Sequence, residues 1–195
     1  TLIAATALGS VGAEAATPRD KDGAAKTADL VVYGCTSAGV TAAVAASDLG
    51  KTVTLLCTND YVGGMTTNGL GWSDTGNHRA IGGMALQFYR EIKRWYDQPG
   101  AWTASVRPSD ATENFVNDGA QWIFEPHVAE RIYDDWLHRK GITVVRNERL
   151  DRDAGGVTKH GTRIVEIRAE NGKRYRGKMF IDATYEGDLM AAAGV

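Results

Sequence analysis

Two glycines, Gly34 and Gly39, frame a turn with recognisable chemistry in the segment VVYGCTSAG. In the pattern G-x-G-x-x-G, the first glycine permits a tight turn out of a strand. The second lets the backbone approach a pyrophosphate, and the third lets helix and strand pack closely. Thr36 stands at the second position, where it needs a negative φ and brings a hydroxyl that could donate to a phosphate. The amides of Ser37 and Ala38 would point at the ligand from the positive end of a helix.

This pattern alone leaves two interpretations open, because a lone G-x-x-x-x-G corner also occurs in α/β proteins that bind no nucleotide. Dinucleotide binding predicts, in addition, an acidic residue about twenty positions further on, which holds the ribose hydroxyls. That position, at the end of TVTLLC, is Cys57, and Asn59 and Asp60 in the following loop are the alternatives. The missing carboxylate argues against ordinary NAD binding.

The turn lies inside a predicted β-α-β unit. Apolar runs at 29–33 and 52–56 indicate buried parallel strands. Small helix-forming residues at 37–49, followed by Gly50, indicate the helix that connects them. The glycine-rich segment that follows, 61–76, is predicted to be a loop without regular structure.

Further along the chain, the hydrophobic period changes from helical to strand-like. Helical spacing of apolar residues predicts helices at 84–96 and 126–139, separated by a surface excursion at 98–120. Strand patterns then appear at 142–147, 162–170 and 173–184, and Asn171-Gly172 is a strong hairpin turn. The last of these strands is apolar enough to return to the central sheet, and the start of another helix follows it.

Composition excludes several classes of function. The 195 residues carry a net charge of -2 with 43% hydrophobic and 24% charged residues, as in a soluble globular protein without a basic surface for nucleic acid. Two cysteines are too few for a disulfide framework or a zinc site, so no metal site is predicted. No apolar run is long enough to span a membrane.

The N-terminal segment differs from the rest of the chain. Residues 1–16 are small and apolar and end in Ala13-Glu14-Ala15, which is typical of the apolar region and cleavage site of a secretory signal. A disordered Ala/Gly leader is the alternative. Polar residues 17–27 are interpreted as a linker, so the folded domain is predicted to cover 28–195 and the protein to be exported, to the periplasm or outside the cell.

Five segments together carry a resemblance to a known family. In order, they are GKTVTLL, YVGGMTTNGLG, IGGMALQFYREI, FEPHVAERIYDDWL and FIDATYEGDLMAAAGV. They closely resemble the N-terminal half of a family of bacterial FAD-dependent oxidoreductases. The resemblance implies an α/β, Rossmann-like FAD-binding domain, with a doubly wound, mostly parallel sheet and an inserted β-hairpin and helical excursion. It also implies that the chain is an incomplete N-terminal half whose C-terminal part is missing.

The same resemblance assigns roles to individual residues. It places the FAD pyrophosphate on the first turn, the ribityl chain and flavin along the glycine-rich loop, and the adenosine near the end of the returning strand. The residues implied for the pyrophosphate are Gly34, Thr36, Ser37, Ala38 and Gly39. Those implied for the ribityl chain and flavin are Gly63, Gly64, Met65 and Thr66, with Asn68 and Gly69 near the isoalloxazine ring. Those implied for the adenosine are Ala183 and Thr184. The family usually carries a ribose-binding Glu where this chain has Cys57.

The implied function is that of an FAD-dependent oxidoreductase whose flavin accepts a hydride from a small-molecule substrate. The chain by itself is expected to be an inactive fragment. Two alternatives are an NAD(P)-dependent dehydrogenase and a truncated, non-catalytic nucleotide-binding module.

No catalytic residue is assigned, because the candidates have more ordinary structural interpretations. His127 is expected to have a structural rather than a catalytic role. Glu125 is expected to cap the start of the same helix. Asp74, Asn77, His78 and Arg79 are expected to be solvated, and Glu186 and Asp188 to lie in the first turn of the last helix. Cys35 and Cys57 lie at the ends of neighbouring strands, and we expect no disulfide because the cofactor would occupy those ends.

Overall fold

The strand that leads into the glycine turn is the centre of the sheet. In the computed structural model, residues 25–74, 76–103, 116–117 and 119–195 are described. The elements, in chain order, are β1 (Lys26–Tyr33), α1 (Ser37–Asp48), β2 (Val53–Leu56), α2 (Gly83–Tyr96), β3 (Val116–Asn117), β4 (Ala120–Gln121), α3 (Pro126–Arg139), β5 (Thr143–Val145), β6 (Val157–His160), β7 (Arg163–Arg168), β8 (Arg174–Asp182) and α4 (Asp188–Ala192), with 3₁₀ turns at Gly64–Thr66 and His78–Ala80.

Six strands form one mixed sheet in the order β5-β2-β1-β8-β7-β6. The first four are parallel, whereas β7 is antiparallel to both β8 and β6. From β1 the chain moves to one side to form β2 and β5, and then returns to the other side of β1 as β8. The carboxyl ends of β1 and β8 therefore flank the point where the strand order reverses, which is where open α/β sheets bind ligands. This is the expected Rossmann-like, mostly parallel fold.

Apolar side chains are buried on both faces of the sheet. On one face, β1 and β2 pack against α1, α2 and α3, where the rings of Phe88 and Tyr133 stack with centroids 4.6 Å apart. On the other face, Tyr33 and Leu56 pack against Tyr175 of β8 and Leu189 of α4. Helices thus cover both faces, as in a doubly wound domain. Within the part of the chain that is described, no helix has the length and apolar character needed to cross a membrane.

The sequence-based elements and the structure differ in a few places. β1 begins at Lys26, two residues inside the segment interpreted as a linker, because Lys26 and Thr27 pair with β8. The loop at 61–76 contains a 3₁₀ turn, and β6 has no counterpart in the prediction. Within the excursion, residues 98–103, the short pair β3–β4 and Gly119 are described. Its remainder, residues 1–16 and the polar segment up to residue 24 lie outside the described residues.

The expectation of two free cysteines is wrong, because Cys35 and Cys57 form a disulfide with their Cα atoms 4.8 Å apart. Tyr33 and Leu56 are paired across β1 and β2, so the residues just beyond them lie at about the usual spacing of neighbouring strands. Both cysteines belong to the apolar core beneath α1. The expectation assumed that the cofactor occupies these strand ends, whereas the two side chains meet in the core.

Candidate nucleotide-binding site

The turn between β1 and α1 is built on the two glycines of the motif. Gly34 has a φ of 104°, and a Cβ there would lie 2.7 Å from the carbonyl carbon of Ala183. A Cβ on Gly39 would lie only 1.9 Å from the carbonyl oxygen of Gly34. The first glycine, with its positive φ, makes the tight turn and also allows β1 and β8 to approach at their ends. The third allows α1 to pack directly on the turn, as in dinucleotide-binding motifs.

Thr36 occupies the middle position with a φ of -68° and a ψ of 171°, so its Cβ causes no backbone strain. Its hydroxyl donates to the carbonyl oxygen of Ala183 at 2.8 Å and accepts from the amide of Gly39 at 3.3 Å. The side chain therefore caps α1 and joins it to the end of β8. The hydroxyl is directed at these partners, whereas the sequence suggested that it could donate to a phosphate.

The N-terminus of α1 carries two amides that point away from the helix. The amides of Gly39 and Val40 are taken by the hydroxyl and the carbonyl of Thr36. In the described residues, the amides of Ser37 and Ala38 have no acceptor. Ala38 is exposed and Ser37 is half-buried. Because α1 is 12 residues long, these two donors stand at the positive end of a substantial helix dipole.

The glycine-rich loop docks on this helix mouth. The amide of Gly63 donates to the carbonyl of Cys35 at 2.6 Å, and the Ser37 hydroxyl donates to the carbonyl of Gly63 at 3.0 Å. Ser37 Oγ also lies 2.8 Å from Thr66 Oγ1. A Cβ on Gly64 would lie 3.2 Å from Thr36 Cα, so the loop and the turn touch through main-chain atoms. The two segments therefore lie on the same side of the molecule and in contact.

The end of β8 completes the junction. Asp182 accepts hydrogen bonds from both the amide and the hydroxyl of Thr184, and its other carboxylate oxygen accepts from the amide of Met190 at 2.8 Å. The chain is thereby held in a tight turn that places Tyr185 over the glycine loop. The Met65 amide donates to the Tyr185 hydroxyl at 2.8 Å. Eleven of the residues implied by the resemblance meet around this junction, namely the five of the turn, the four at 63–66, and Ala183 and Thr184. Asn68 and Gly69 are exposed further along the loop, and Cys57 lies below the junction.

Cys57 lies below the site. Its side chain is buried and bonded to Cys35, so it offers no group to a ribose. Of the two alternatives in the next loop, Asn59 reaches the wall of the adjoining cavity. The Asp60 carboxylate instead accepts from the side-chain amide of Asn147. The described strand end therefore presents no carboxylate where a ribose-binding acid is expected.

A cavity of about 520 Å³ opens at the carboxyl ends of β1, β2 and β8. Its walls come from the glycine turn, the loop after β2, the segment after β5, the turn between β7 and β8 and the turn after β8, and they include two arginines and three acids. The lining residues are Tyr33, Gly34, Cys35, Thr36, Thr58, Asn59, Tyr61, Gly64, Arg149, Leu150, Arg152, Glu170, Thr184, Tyr185, Glu186 and Asp188. Arg152 and Asp188 form an ion pair at 3.4 Å across this wall.

A second cavity, of about 270 Å³, lies on the other side of the glycine loop. Met65 and Thr66 line it, whereas the preceding residue, Gly64, lines the larger cavity. The smaller cavity is otherwise formed by Leu70, Ser73, Asp74, Ile81, Tyr89 and Phe124. The loop at 63–66 thus runs between two cavities, one at the helix mouth and one beneath the start of α2.

A buried phenol stands behind the glycine loop. Burial raises the pKa of Tyr133 to about 12, although a hydrogen bond with Ser37 acts in the opposite direction. The ring is close enough that a Cβ on Gly63 would lie 2.7 Å from it. Tyr133 therefore stays neutral at physiological pH and adds no negative charge beside the two amides of the helix mouth.

The structure also places the residues whose roles were left open. Asp74 lines the smaller cavity, and Asp188 is the first residue of α4. His127 is exposed on α3 and lines neither cavity described above. Glu125 is the N-cap residue of α3, but its side chain makes no capping hydrogen bond; its carboxylate accepts from the Tyr96 hydroxyl at 2.8 Å instead.

Several cavity residues were not found from the sequence, among them Tyr185, Arg149 and Arg152. The two arginines follow β5, and Tyr185 follows β8, so all three lie beyond the carboxyl ends of parallel strands. That rule of parallel sheets was available from the sequence, because both strands were predicted there. The contact between Tyr185 and Met65 joins residues 120 positions apart and has no local signal.

Comparison with known proteins agrees with this geometry. Residues 29–195 match the family described as FAD dependent oxidoreductase. No curated protein sequence gives a match. Among solved structures, the chain is similar to the flavin-dependent brominase Bmp2, with 16% identity and a TM-score of 0.58 over 87% of this chain and 41% of that one.

Two further solved structures share the fold. L-proline dehydrogenase from P. horikoshii is 16% identical, with a TM-score of 0.53 over 88% of this chain and 57% of its own. The myxobacterial halogenase CndH, a variant of FAD-dependent halogenases, is 22% identical, with a TM-score of 0.51 over 82% of this chain and 37% of its own. In all three cases the chain spans less than two thirds of the solved protein. The match over nearly all the described residues shows that the chain belongs to the FAD-dependent oxidoreductase family, whose cofactor is FAD.

Proposed function

We propose that this chain holds FAD across the glycine loop, as the cofactor-binding part of an enzyme that oxidises a small organic molecule. The observation that carries the proposal is the pair of amides, of Ser37 and Ala38, at the N-terminus of α1. They have no acceptor in the described part of the chain and stand where the strand order reverses. An anion at a helix N-terminus is stabilised by such donors and by the helix dipole.

The shape of the turn fits a pyrophosphate. Gly34 and Gly39 have no Cβ, and Thr36 directs its hydroxyl toward the end of β8. The side chains of the turn are therefore small or directed away from the helix mouth. A dinucleotide phosphate can approach main-chain donors here without meeting a side chain of the turn itself, which is the purpose of glycine in such turns.

The two cavities suggest the path of the rest of the cofactor. Gly64 lines the cavity at the helix mouth, and Met65 and Thr66 line the one beyond it. In our proposal the adenosine lies in the larger cavity and the loop carries the ribityl chain toward the smaller one. When bound, the flavin supplies a hydride acceptor, and the protein contributes binding and orientation.

The proposal can be tested at one amide. Ser37 is the first residue of α1, where proline is tolerated, and Thr36 before it already has the extended backbone that a following proline requires. Ser37→Pro removes one N–H donor, whereas Ser37→Ala removes only the hydroxyl and serves as the matched control. A hydrogen bond to a charged group contributes about 1.5–3 kcal/mol, so FAD should bind roughly tenfold to a hundredfold more weakly to Ser37→Pro than to Ser37→Ala.

The measurement is a titration of the purified full-length protein with FAD, followed by flavin fluorescence, with circular dichroism to verify that both variants fold. ADP should compete with FAD, because it carries the pyrophosphate, and riboflavin should not. Equal FAD affinity of the two variants would contradict the assigned helix mouth. Binding of NAD(P) without any response to FAD would instead favour an NAD(P)-dependent dehydrogenase.

We also propose that the protein works outside the cytoplasm. Two observations support this location: the signal-like composition of residues 1–16, and the disulfide between Cys35 and Cys57, since disulfides persist mainly in oxidising compartments. Cell fractionation with mass spectrometry of the mature N-terminus would test it. Recovery of the protein with an intact leader from the cytoplasmic fraction would contradict the proposal.

A further inference from the structure

We propose that the Cys35–Cys57 disulfide positions the phosphate-binding turn, so that FAD affinity depends on the redox state of this bond. The inference rests on the proposed FAD site. Its basis is the location of the bond: one cysteine lies inside the glycine turn, and the other takes the place expected for a ribose-binding acid. A covalent link thus stands where the usual pattern has a carboxylate that contacts the cofactor.

Cys57 is the fixed end of the link. It is fully buried. Its amide donates to the carbonyl of Val145 at 2.8 Å, and its carbonyl accepts from the amide of Glu148 at 2.7 Å. Glu148 is itself buried and accepts a hydrogen bond from the Tyr175 hydroxyl at 2.6 Å. Main-chain bonds and the surrounding core therefore leave Cys57 little room to move.

Cys35 is the end that matters for the cofactor. It lies between Gly34 and Thr36, is 7% exposed and lines the larger cavity. Its carbonyl accepts from the amide of Gly63 at 2.6 Å, so its position also sets that of the glycine loop. The bond to Cys57 thus ties the turn, and through it the loop, to the end of β2.

Reduction would release this connection. A small dithiol such as dithiothreitol attacks the disulfide through its thiolate; the S–S bond takes up two electrons and two protons to give two thiols, and the dithiol leaves as a cyclic disulfide. Two unbonded sulfur atoms need a wider separation than two bonded ones. Because Cys57 is enclosed, Cys35 must move, and it carries the adjoining Thr36 and the Ser37 amide with it.

Two consequences can be measured. The reduced protein should bind FAD at least fivefold more weakly than the oxidised protein. By thermodynamic reciprocity, bound FAD should protect the disulfide and lower the fraction reduced at a fixed dithiol concentration. ADP is a suitable second probe, because it carries the same pyrophosphate and is not itself reduced by a dithiol.

The test compares FAD and ADP binding to the full-length protein before and after dithiothreitol, with thiol titration to count reduced cysteines and reoxidation by diamide to recover the first state. The control is the Cys35→Ser/Cys57→Ser double variant, whose FAD affinity should be low and indifferent to dithiothreitol. Because reduction and recovery are performed on the native protein, the test does not depend on the folding of this variant.

The outcomes separate the two proposals. Equal binding of FAD and ADP to the oxidised and reduced protein would overturn this inference and leave the FAD site intact. The same holds if thiol titration finds two free cysteines before any reductant is added. If the oxidised protein binds neither FAD nor ADP, the proposed function fails, and the inference fails with it.

Discussion

Replacing Gly34 by alanine places a Cβ where the ends of β1 and β8 meet. The new atom would lie 2.7 Å from both the carbonyl carbon of Ala183 and the amide nitrogen of Thr184, and all of these neighbours are main-chain atoms. The strand ends must separate, which weakens the 2.8 Å bond from Thr36 to Ala183 and the 2.7 Å bond from the Ala183 amide to Tyr33. We expect the helix mouth to lose its alignment as well as its stability.

The magnitude follows from comparison with Gly155, whose φ of 92° is similar to the 104° of Gly34. A Cβ added at Gly155 would have no atom within 4 Å. A left-handed backbone costs alanine about 1–2 kcal/mol at either position. Overpacking adds about 1–3 kcal/mol at Gly34 alone. Gly34→Ala should therefore lower the free energy of unfolding by about 1–3 kcal/mol more than Gly155→Ala.

Urea unfolding of both variants, with FAD titration of the folded proteins, measures the two effects. For a slope of about 1–3 kcal/mol per molar urea, the expected difference separates the two midpoints clearly. Gly155→Ala should retain FAD binding, and Gly34→Ala should weaken it. Equal stability losses in the two variants would refute the close approach of β1 and β8 that this reasoning requires.

Three further substitutions test other contacts. Thr36→Val removes the hydroxyl that caps α1 and should lower the free energy of unfolding by about 1–2 kcal/mol in urea titration; an unchanged value would contradict the cap. Tyr175→Phe takes one hydrogen-bond donor from the buried carboxylate of Glu148 and should lower the free energy of unfolding by about 1–3 kcal/mol. Tyr61→Phe, at an exposed ring, serves as the control and should leave the free energy of unfolding nearly unchanged. Burial raises the pKa of Tyr133 to about 12, from about 10 in the unfolded chain. The buried neutral phenol therefore contributes fully to the free energy of unfolding below about pH 10, and this contribution is lost as the pH rises toward about 12. The free energy of unfolding should fall less steeply between about pH 10 and 12 in Tyr133→Phe.

Local patterns were enough to predict much of the fold. The structure has α3 at Pro126–Arg139, the same bounds as the predicted helix, because proline in the first turn and glycine just after the end are both local signals. The hairpin at Asn171-Gly172 is confirmed by the antiparallel pairing of β7 and β8. The β-α-β unit is confirmed as well, since buried parallel strands are continuous apolar runs.

The details of the site depend on contacts between distant residues, and the sequence gives little sign of them. The Thr36 hydroxyl bonds to a carbonyl 147 positions away, so its capping role could not be separated from a role in phosphate binding. The disulfide depends on the register of β1 and β2, which fixes how far each cysteine lies beyond its strand. β6 is mostly exposed and lacks the alternation by which a half-buried strand is recognised.

The glycine turn, the glycine loop and the end of β8 approach one another through main-chain atoms at Gly34, Gly39 and Gly64. A Cβ on Gly39 would strike the Gly34 carbonyl, and one on Gly64 would crowd the Thr36 Cα. The hydroxyls of Thr36, Ser37 and Tyr185 add the hydrogen bonds that hold these segments together. In the walls of the smaller cavity, Leu70, Asp74 and Ile81 take no part in these contacts, so over evolutionary time they can change and admit new molecules while the junction keeps its position. An engineer who wishes to alter the reaction should randomise those walls and leave the glycines alone.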